Sequence, residues 1–251
     1  ISVLATLVEE LPLLRARHHI GRQFAGPVAR RMQAACHLAD GRFVTPMIAV
    51  AGAVADHILA TMLADKFAND VTKISVNNGG DVAFWTAPGA IAKAKLAGVA
   101  GGMMTIHGPT VWRGIATSGW QGRSHSLGIA DSVSVLARTA ATADIAATLI
   151  ANSVTLPSYR GIERVPANSL NPESDLGDRL VTTAVPPLPW DDVFAAVDGG
   201  RTIAQQILDQ EHIAGAVISL QGHTEIIGMA GQNMTPDFVK DNNRKAEKHY
   251  A

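Results

Sequence analysis

Cysteine is nearly absent from this sequence, since Cys36 is the only one among 251 residues. A single thiol excludes an internal disulfide and any zinc site built from several cysteines. The 9 histidines are scattered, and no two of them stand at a spacing that would place both rings on one helix face. We therefore do not expect a zinc protein.

Charged residues are also few, at 17% of the chain, and the formal net charge is −1. A chain so close to neutrality lacks the field that would attract nucleic acid or an anionic membrane surface. Apolar residues make up 47%, and 251 residues are enough to bury a substantial core. We therefore expect a globular protein whose partner is a small molecule rather than a nucleic acid or a membrane.

The most apolar run, residues 46–64, is nearly long enough to span a bilayer. Asp56 and His57 stand at its centre, where each would cost about 2.5–3.5 kcal/mol on insertion scales. We therefore predict a buried helix. The first apolar stretch contains Glu9 and Glu10 and no small-residue cleavage site follows it, so no signal peptide is predicted and the expected location is cytoplasmic.

The glycine signatures of three common folds are missing from the chain. It contains no GxGxxG of a Rossmann fold, no GxxxxGK[ST] of a P-loop and no GxSxG of a nucleophile elbow. Helical segments and antiparallel hairpins alternate without a βαβ rhythm, which predicts an α+β fold with antiparallel sheets packed against helices. We expect one domain over residues 1–234, followed by a polar tail at 235–251.

Apolar periodicity and turn residues predict the individual elements. Helices are predicted at 2–20, 27–39, 46–64, 139–151 and 192–212. Strands are predicted within the hairpins 72–86 and 216–231, within 90–107, and at 111–116 and 127–137. Residues 155–191 hold 6 of the 12 prolines and are predicted to form a long surface excursion.

The stretch 74–85, ISVNNGGDVAFW, is typical of a β-hairpin. β-branched and aromatic residues flank a turn in which two glycines allow positive φ. The same turn, made of Asn78, Gly79, Gly80 and Asp81, has a second interpretation, because backbone without side chains can approach a ligand closely. The sequence leaves both interpretations open.

Asp144 and Thr148 form the sharpest local signal for chemistry. They stand four residues apart on an alanine-rich helix, so the carboxylate and the hydroxyl project from one face. Two hard oxygens one turn apart suit Mg²⁺, which completes its octahedron with water and phosphate. The alternative is structural: an aspartate favoured by the helix dipole and a threonine that bonds its own turn.

A loop of small hydroxyl residues and glycine follows the strand predicted at 111–116. Such a loop offers N–H groups and hydroxyls to a phosphate, and Arg123 just beyond it could add a bidentate contact. The alternative is an ordinary polar turn. The loop residues are Thr117, Ser118 and Gly119.

Two carboxylates and several basic residues are further candidates. Asp56 and Asp131 stand inside apolar segments, where a carboxylate is costly unless it has a partner. Asp131, together with Arg123 and His125, could carry acid–base chemistry in a site without metal. The pair Arg30 and Arg31 predicts a solvated helix face, with contact of one arginine to a phosphate as the alternative.

Several strings, taken in order, resemble a known family. They are PMIAVAGAVAD (46–56), VNNGGDV (76–82), GIATSGWQGRSHSLGIADSVSVLA (114–137), ADIAATLIAN (143–152) and RVPANSLNPESDLGDRLVT (164–182). Together they resemble the UPF0280 family, a branch of the ApbE superfamily, over roughly residues 24–228. The resemblance implies a T-fold-like α+β architecture, whose relatives bind purine- or pterin-like rings and often pair their sheets into homo-oligomers.

The resemblance also implies roles for particular residues. ApbE proteins are FAD:protein FMN transferases that use Mg²⁺ to cleave FAD and attach FMN to a threonine of a target protein. Their metal is held by the aspartate and threonine of a D-x-x-x-T motif, which Asp144 and Thr148 match, and by a carbonyl that would fall near Val50 or Ala51. Their glycine pair corresponds to Gly79 and Gly80, and their hydroxyl-glycine segment to Thr117, Ser118 and Gly119.

One departure from the ApbE pattern bears on function. The transferases carry His-x-x-x-Pro for the flavin nucleotide, whereas residues 125–131 read HSLGIAD, without proline. We expect a protein that binds a flavin such as FAD or FMN, a pterin or a related phosphorylated ring, with Mg²⁺-dependent transfer or hydrolysis if it is an enzyme. The alternatives are a non-catalytic binding protein and a metal-independent hydrolase or isomerase acting in the same pocket.

Overall fold

The computed structural model describes residues 3–65, 71–99, 102–122 and 124–228, together with the backbone of 234–236. The helices are α1 (Val3–Glu9), α2 (Leu11–Leu14), α3 (Pro27–Ala35), α4 (Val50–Leu63), α5 (Ala140–Ser153), α6 (Ala167–Leu170) and α7 (Trp190–Asp209), with 3₁₀ turns at Cys36–Ala39 and Pro46–Ala49. The strands are β1 (Lys73–Asn78), β2 (Asp81–Thr86), β3 (Ile91–Lys95), β4 (Met103–His107), β5 (Gly114–Ser118), β6 (Ser132–Ala137), β7 (Glu163–Pro166), β8 (Leu180–Ala184), β9 (Ile213–Leu220), β10 (His223–Gly228) and β11 (Met234–Pro236).

The centre of the fold is a six-stranded antiparallel sheet in the order β1-β2-β5-β6-β9-β10. Every residue of β6 and β9 is buried, which requires both faces of the sheet to be covered. The helices α4, α5 and α7 cover one face, and α5 lies across β5 and β6. This confirms the predicted packing of helices against antiparallel sheets.

The other face of the central sheet packs against a smaller sheet in the order β11-β4-β3. Neighbouring residues of one strand alternate between the two sides, as the pleat requires: Ile115 joins the smaller core and Ala116 joins the helical core. Met104 and Ile106 of β4 supply the matching apolar surface. The result is a mixed α/β protein with a helical layer on one side and a sheet on the other.

The apolar segment Pro46–Leu63 is long and apolar enough to cross a membrane, with a mean hydropathy of 1.6, but helices inside protein cores pass the same test. Its inner face, which includes Ala53 and Ala55, is fully buried. It packs against α3, α5, β1 and β2. We therefore interpret it as the packed helix that Asp56 and His57 predict.

Several predictions for element boundaries are corrected by the structure, and in place of the helix predicted at 2–20 it has two short helices, Val3–Glu9 and Leu11–Leu14. The strand predicted at 127–137 begins only at Ser132, because the preceding residues lie against the end of α5, where Ile129 N–H donates to the Val154 carbonyl at 2.8 Å. A Cβ on Gly128 would stand 1.9 Å from the Ala151 carbonyl oxygen, so only glycine permits this approach. The predicted excursion 155–191 contains the β7–β8 hairpin and α6, and α7 begins within it.

The predicted tail, 235–251, begins inside an element. Thr235 and Pro236 belong to β11, which pairs with β4. The rest of the predicted tail lies outside the described residues.

Cys36 is expected to be chemically inert in the folded protein. It is buried between α3 and the following turn, its thiol donates to the Met32 carbonyl at 3.3 Å, and burial raises its pKa to about 12. Because the thiolate is the reactive species, a thiol reagent such as Ellman's reagent should react slowly at pH 8 in the native state and fast in urea. Equal reaction rates in the native state and in urea would show that the segment around Cys36 unfolds locally and exposes the thiol.

Candidate functional site

A pocket of about 380 Å³ lies where α4 begins, beside α5 and the β1–β2 turn. Several polar residues from distant parts of the chain line it, and they include both residues of the D-x-x-x-T pair. These residues include Asp81, Ser124, His125, Asp144, Thr148, Asn152, Glu173 and Asp175, and the apolar Ala51 lines the pocket beside them. The fold therefore brings the predicted metal pair, one residue of the predicted turn and His125 into one cavity.

The two helices that hold the pocket cap each other. Asp144 of α5 accepts the Gly52 N–H at the start of α4, at 3.1 Å. Asp56 of α4 accepts the N–H groups of Ala140 and Ala141 at the start of α5, each at 2.9 Å. Each carboxylate thus satisfies donors that a helix N-terminus leaves free and meets the positive end of a helix dipole.

The reciprocal capping requires a close approach of the two helices, which Gly52 permits. A Cβ at that position would stand 2.3 Å from the Ala140 carbonyl oxygen, far inside van der Waals contact. The small residues of α4 thus position the pocket, because they bring Asp144 within reach of the first turn of α4.

Asp56, which the sequence marked as needing a partner, has one in the N-terminus of α5. Desolvation raises its pKa, while the Ala141 and Ala140 N–H groups and the charge of Arg31 oppose the rise. Asp56→Ala removes both acceptors, and we expect it to lower the free energy of unfolding by about 1–2 kcal/mol. Urea titration would measure this, with exposed Glu9→Ala as the control; an unchanged midpoint for Asp56→Ala would contradict the capping role.

The charged form of Asp144 is energetically unfavourable in this structure. Desolvation raises its pKa well above the usual 3.8, and the charge of Asp81 raises it further, whereas the N–H groups of Gly52 and Ala51 lower it. The Asp81 carboxylate is therefore close enough to Asp144 to repel it. A cation between or beside two such carboxylates would relieve the repulsion.

The pocket as a whole is acidic. Among the residues with described side chains, its lining has four carboxylates, Asp81, Asp144, Glu173 and Asp175, and one arginine, Arg15. That arginine pairs with Glu173 at 2.6 Å, and Asp175 accepts a hydrogen bond from Thr45. Asp144 has no arginine or lysine within ion-pair distance among the residues with described side chains.

Thr148 and the predicted hydroxyl loop meet across the helix–sheet interface. The Thr148 hydroxyl lies 3.5 Å from Ser118 Oγ, a long contact that leaves it able to bind another group. Thr117 shares a 2.8 Å hydrogen bond with Ser134 on the neighbouring strand. Gly119 is held by close packing, because a Cβ there would stand 2.3 Å from the Asp131 carbonyl oxygen. Ser118 is thus the loop residue that contacts the metal pair.

The β1–β2 turn is the two-residue hairpin that the sequence predicts. Gly79 and Gly80 have φ values of 73° and 118°, which favour glycine, and Asn78 pairs with Asp81. A Cβ on Gly80 would meet no atom within 4 Å, so its backbone angle rather than crowding demands glycine. Asn78 donates to the Ala51 carbonyl at 3.1 Å and ties the turn to the first turn of α4.

Of the three residues proposed for acid–base chemistry, His125 lies in the pocket lining and Asp131 does not. His125 lines the pocket and is exposed. Asp131 lies outside the pocket lining and accepts hydrogen bonds from Trp120 Nε1 at 3.2 Å and from the Gln221 N–H at 2.6 Å. Arg123 lies outside the described residues.

One part of the pocket wall was missed by sequence reasoning. Residues 171–176, within the predicted surface excursion, supply Glu173 and Asp175, and the end of α5 supplies Asn152. The Asn152 side chain accepts the Leu127 N–H at 2.9 Å and so fixes the segment after His125. Glu173 and Asp175 fall inside RVPANSLNPESDLGDRLVT, so the resemblance carried a signal that the proline content obscured.

The donors in the pocket fit a magnesium ion better than a transition metal. Among the residues with described side chains, no three His, Cys, Asp or Glu groups converge to hold a metal by themselves. Mg²⁺ needs only one or two protein carboxylates because water and phosphate complete its shell. Asp144 offers the oxygen that Gly52 leaves free, and Thr148 and Asp81 offer further hard oxygens.

Comparisons with known proteins identify the family of the chain. The sequence matches the family described as AbpE bacteria over residues 1–226. A UPF0280 protein of Methanothermobacter thermautotrophicus is 36% identical over 139 residues, which cover 53% of this chain and 50% of the relative. One of Methanothrix thermoacetophila is 34% identical over 139 residues, which cover 52% and 54%.

Family membership follows from the match over residues 1–226. The chain is a mixed α/β protein that belongs to the UPF0280/ApbE-like family. The chain spans about half the length of the curated relatives that it matches.

Proposed function

We propose that this protein binds a flavin, a pterin or a related phosphorylated heteroaromatic ligand in the acidic pocket, together with Mg²⁺ on Asp144 and Thr148. The observation that carries the proposal is the balance of charge. Among the residues with described side chains, the pocket lining holds four carboxylates and one arginine, so a phosphate would be repelled unless a divalent cation entered with it. A T-fold-like architecture and a cytoplasmic location remain part of the proposal.

The residues of the chain take distinct roles in this proposal. Asp144 supplies the charge that holds the cation, and Thr148 supplies a neutral oxygen one helical turn away. The first turn of α4, around Ala51, holds Asp144 in place through its N–H groups and is itself fixed by Asn78. Bound Mg²⁺ would neutralise phosphate charge during transfer or hydrolysis.

A non-catalytic binding protein is the second candidate. The sequence lacks the His-x-x-x-Pro string of the transferases, because no proline follows His125 at the required spacing. The His125 side chain is exposed at the pocket. The metal-independent alternative is less well supported, because Asp131 lies outside the pocket lining and already accepts two N–H donors. The retained Asp144 and Thr148 pair favours a metal-dependent role over both.

Calorimetric titration with FMN, FAD and a pterin, with and without Mg²⁺, tests the proposal. We expect at least one ligand to bind, and Mg²⁺ to tighten binding in the wild type but not in Thr148→Val. Thr202→Val, which removes an exposed hydroxyl that bonds its own turn on α7, is the matched control. Failure of all three ligands to bind in the presence of Mg²⁺ would overturn the proposal.

The same samples separate catalysis from binding. Incubation with FAD and Mg²⁺, followed by chromatography, should release AMP if transferase or hydrolase chemistry is retained, with free FMN as the second product when water is the acceptor and protein-bound FMN when a threonine is. Binding without either product would assign the protein to the non-catalytic class.

A further inference from the structure

A second pocket, of about 610 Å³, lies near the N-terminus of α5 and shares no lining residue with the acidic pocket. Its charged lining is mostly basic. We call it the arginine pocket, and its polar lining consists of Arg31, His37, Asp56, Arg113, Arg138, Thr139 and Thr142.

The sheet brings two of the arginines together. Arg113 immediately precedes β5 and Arg138 immediately follows β6, and the adjoining residues Gly114 and Ala137 are partners in the antiparallel ladder. The two guanidinium groups therefore start from neighbouring strand ends. Arg31 of α3 completes the set from the opposite wall, so three cations face one cavity.

These cations form no close ion pair among the residues with described side chains, although the charge of Arg31 acts on Asp56. None of Arg31, Arg113 and Arg138 forms an ion pair with a carboxylate within 4.0 Å among the residues with described side chains. Buried Arg31 Nε finds no hydrogen-bond acceptor there either. Asp56 is the one acidic lining residue, and both of its oxygens already accept N–H groups of α5.

Neighbouring side chains restrain the orientation of Arg138 and keep the local electrostatic potential positive. The Arg138 guanidinium stacks 4.9 Å from the Trp112 ring centroid, which restrains its orientation. Neighbouring His212 has its pKa lowered by burial and then by the charges of His37 and Arg138. A positive pocket with oriented guanidinium groups is suited to anions that accept several hydrogen bonds.

Side chains, rather than the helix N-terminus, would make the contacts. The first N–H groups of α5 are already used, since Asp56 takes those of Ala140 and Ala141 and the Thr139 hydroxyl takes that of Thr142. The hydroxyls of Thr139 and Thr142, 2.8 Å apart, lie beside the arginines and can turn towards a ligand.

We propose that the arginine pocket binds the oligophosphate group of a small molecule without a metal ion. Three guanidinium groups against one carboxylate leave a surplus of two positive charges, which matches a chain of two or three phosphates better than a single phosphate. The concave volume lies in the range of small-molecule sites, and an overall net charge of −1 gives no long-range field that would attract nucleic acid. The proposal does not depend on the function assigned to the acidic pocket.

Calorimetric titration of the full chain with inorganic tripolyphosphate in excess EDTA tests this site, because EDTA removes any cation that the acidic pocket needs. We expect binding that weakens as salt is raised. Arg113→Gln and Arg138→Gln should each weaken it about tenfold or more, since each removes charge-assisted hydrogen bonds. Both arginines are exposed, so neither change should impair folding.

Arg30→Gln is the matched control. Arg30 neighbours Arg31 on α3, is exposed, donates to the Ala25 carbonyl and lies outside the pocket lining, so its loss should leave the affinity unchanged. Citrate distinguishes phosphate from carboxylate recognition and should bind at least tenfold more weakly. No binding of tripolyphosphate in EDTA, equal loss in Arg30→Gln and Arg138→Gln, or citrate binding as tight as tripolyphosphate would each overturn the proposal.

Discussion

Asp144→Asn should abolish Mg²⁺ binding and, without metal, make the protein more stable than the wild type. Substitution of a residue that only hydrogen-bonds to a metal ligand lowers metal affinity about 10–100-fold. Loss of the charged ligand itself should therefore weaken Mg²⁺ binding more than about 100-fold. The asparagine side-chain oxygen can still accept the Gly52 N–H. It no longer carries the desolvated charge that Asp81 repels, so the free energy of unfolding in EDTA should rise by about 1 kcal/mol.

The pH dependence of this effect has a definite sign. The pKa of Asp144 is raised in the folded state from the usual 3.8, so the folded protein holds this proton to higher pH than the unfolded chain. Its contribution to stability is therefore present below 3.8 and is lost as pH rises through the folded-state pKa. The stability of the wild type relative to Asp144→Asn should fall over that range in EDTA, and added Mg²⁺ should recover it only in the wild type.

Urea titrations from pH 4 to pH 8, with and without Mg²⁺, would measure both effects. The structural alternative predicts the reverse. If Asp144 serves only to cap α4, the change to asparagine removes the negative charge that stabilises the helix N-terminus and so lowers the free energy of unfolding. A variant less stable than the wild type in EDTA, together with no effect of Mg²⁺ on either protein, would establish that alternative.

Among the substitutions proposed for this protein, Gly52→Ala should lower the free energy of unfolding most. The new methyl group would stand 2.3 Å from the Ala140 carbonyl oxygen and 2.6 Å from the Ala141 nitrogen, both of them backbone atoms that cannot turn aside. The helices α4 and α5 would have to separate, which would weaken both reciprocal caps. We expect a loss of about 3 kcal/mol or more in the free energy of unfolding, although alanine normally favours a helix over glycine.

Gly21→Ala is the control for the added methyl group, because its Cβ would lie at an ordinary contact distance of 3.5 Å from the His19 ring. Urea unfolding of both variants measures the difference. If Gly52→Ala folds, Mg²⁺ affinity should also fall, since Asp144 is held by the Gly52 N–H. A loss below about 1 kcal/mol would show that the helices can adjust and that the close approach is not needed.

Local patterns predicted much of the fold correctly. The β1–β2 hairpin follows from two glycines between apolar strands, and α5 follows from an alanine-rich segment behind Thr139, whose side chain caps it. The strand predicted at 127–137 was wrong over its first five residues, because Leu127 and Ile129 donate their N–H groups to the end of α5, a contact that no local pattern predicts. Proline content likewise concealed the β7–β8 hairpin.

The candidate site was predictable where its residues share one helix. The spacing of Asp144 and Thr148 places them one turn apart in any α-helix. The approach of Asp81 to Asp144 depends on how the hairpin packs against α4, and so lies beyond local sequence. The pairing of Arg113 with Arg138 likewise requires the register of β5 against β6. Tertiary packing thus created the charge balance of both pockets.

Anomalous diffraction from Mn²⁺ tests the central claim most directly, with crystals of the wild-type protein grown in manganese together with the ligand found by titration. The account predicts one strong anomalous peak in the acidic pocket, within about 2.5 Å of an Asp144 carboxylate oxygen and the Thr148 hydroxyl oxygen. A peak bound elsewhere, or no peak beside Asp144 at concentrations that saturate Mn²⁺ binding in solution, would contradict it.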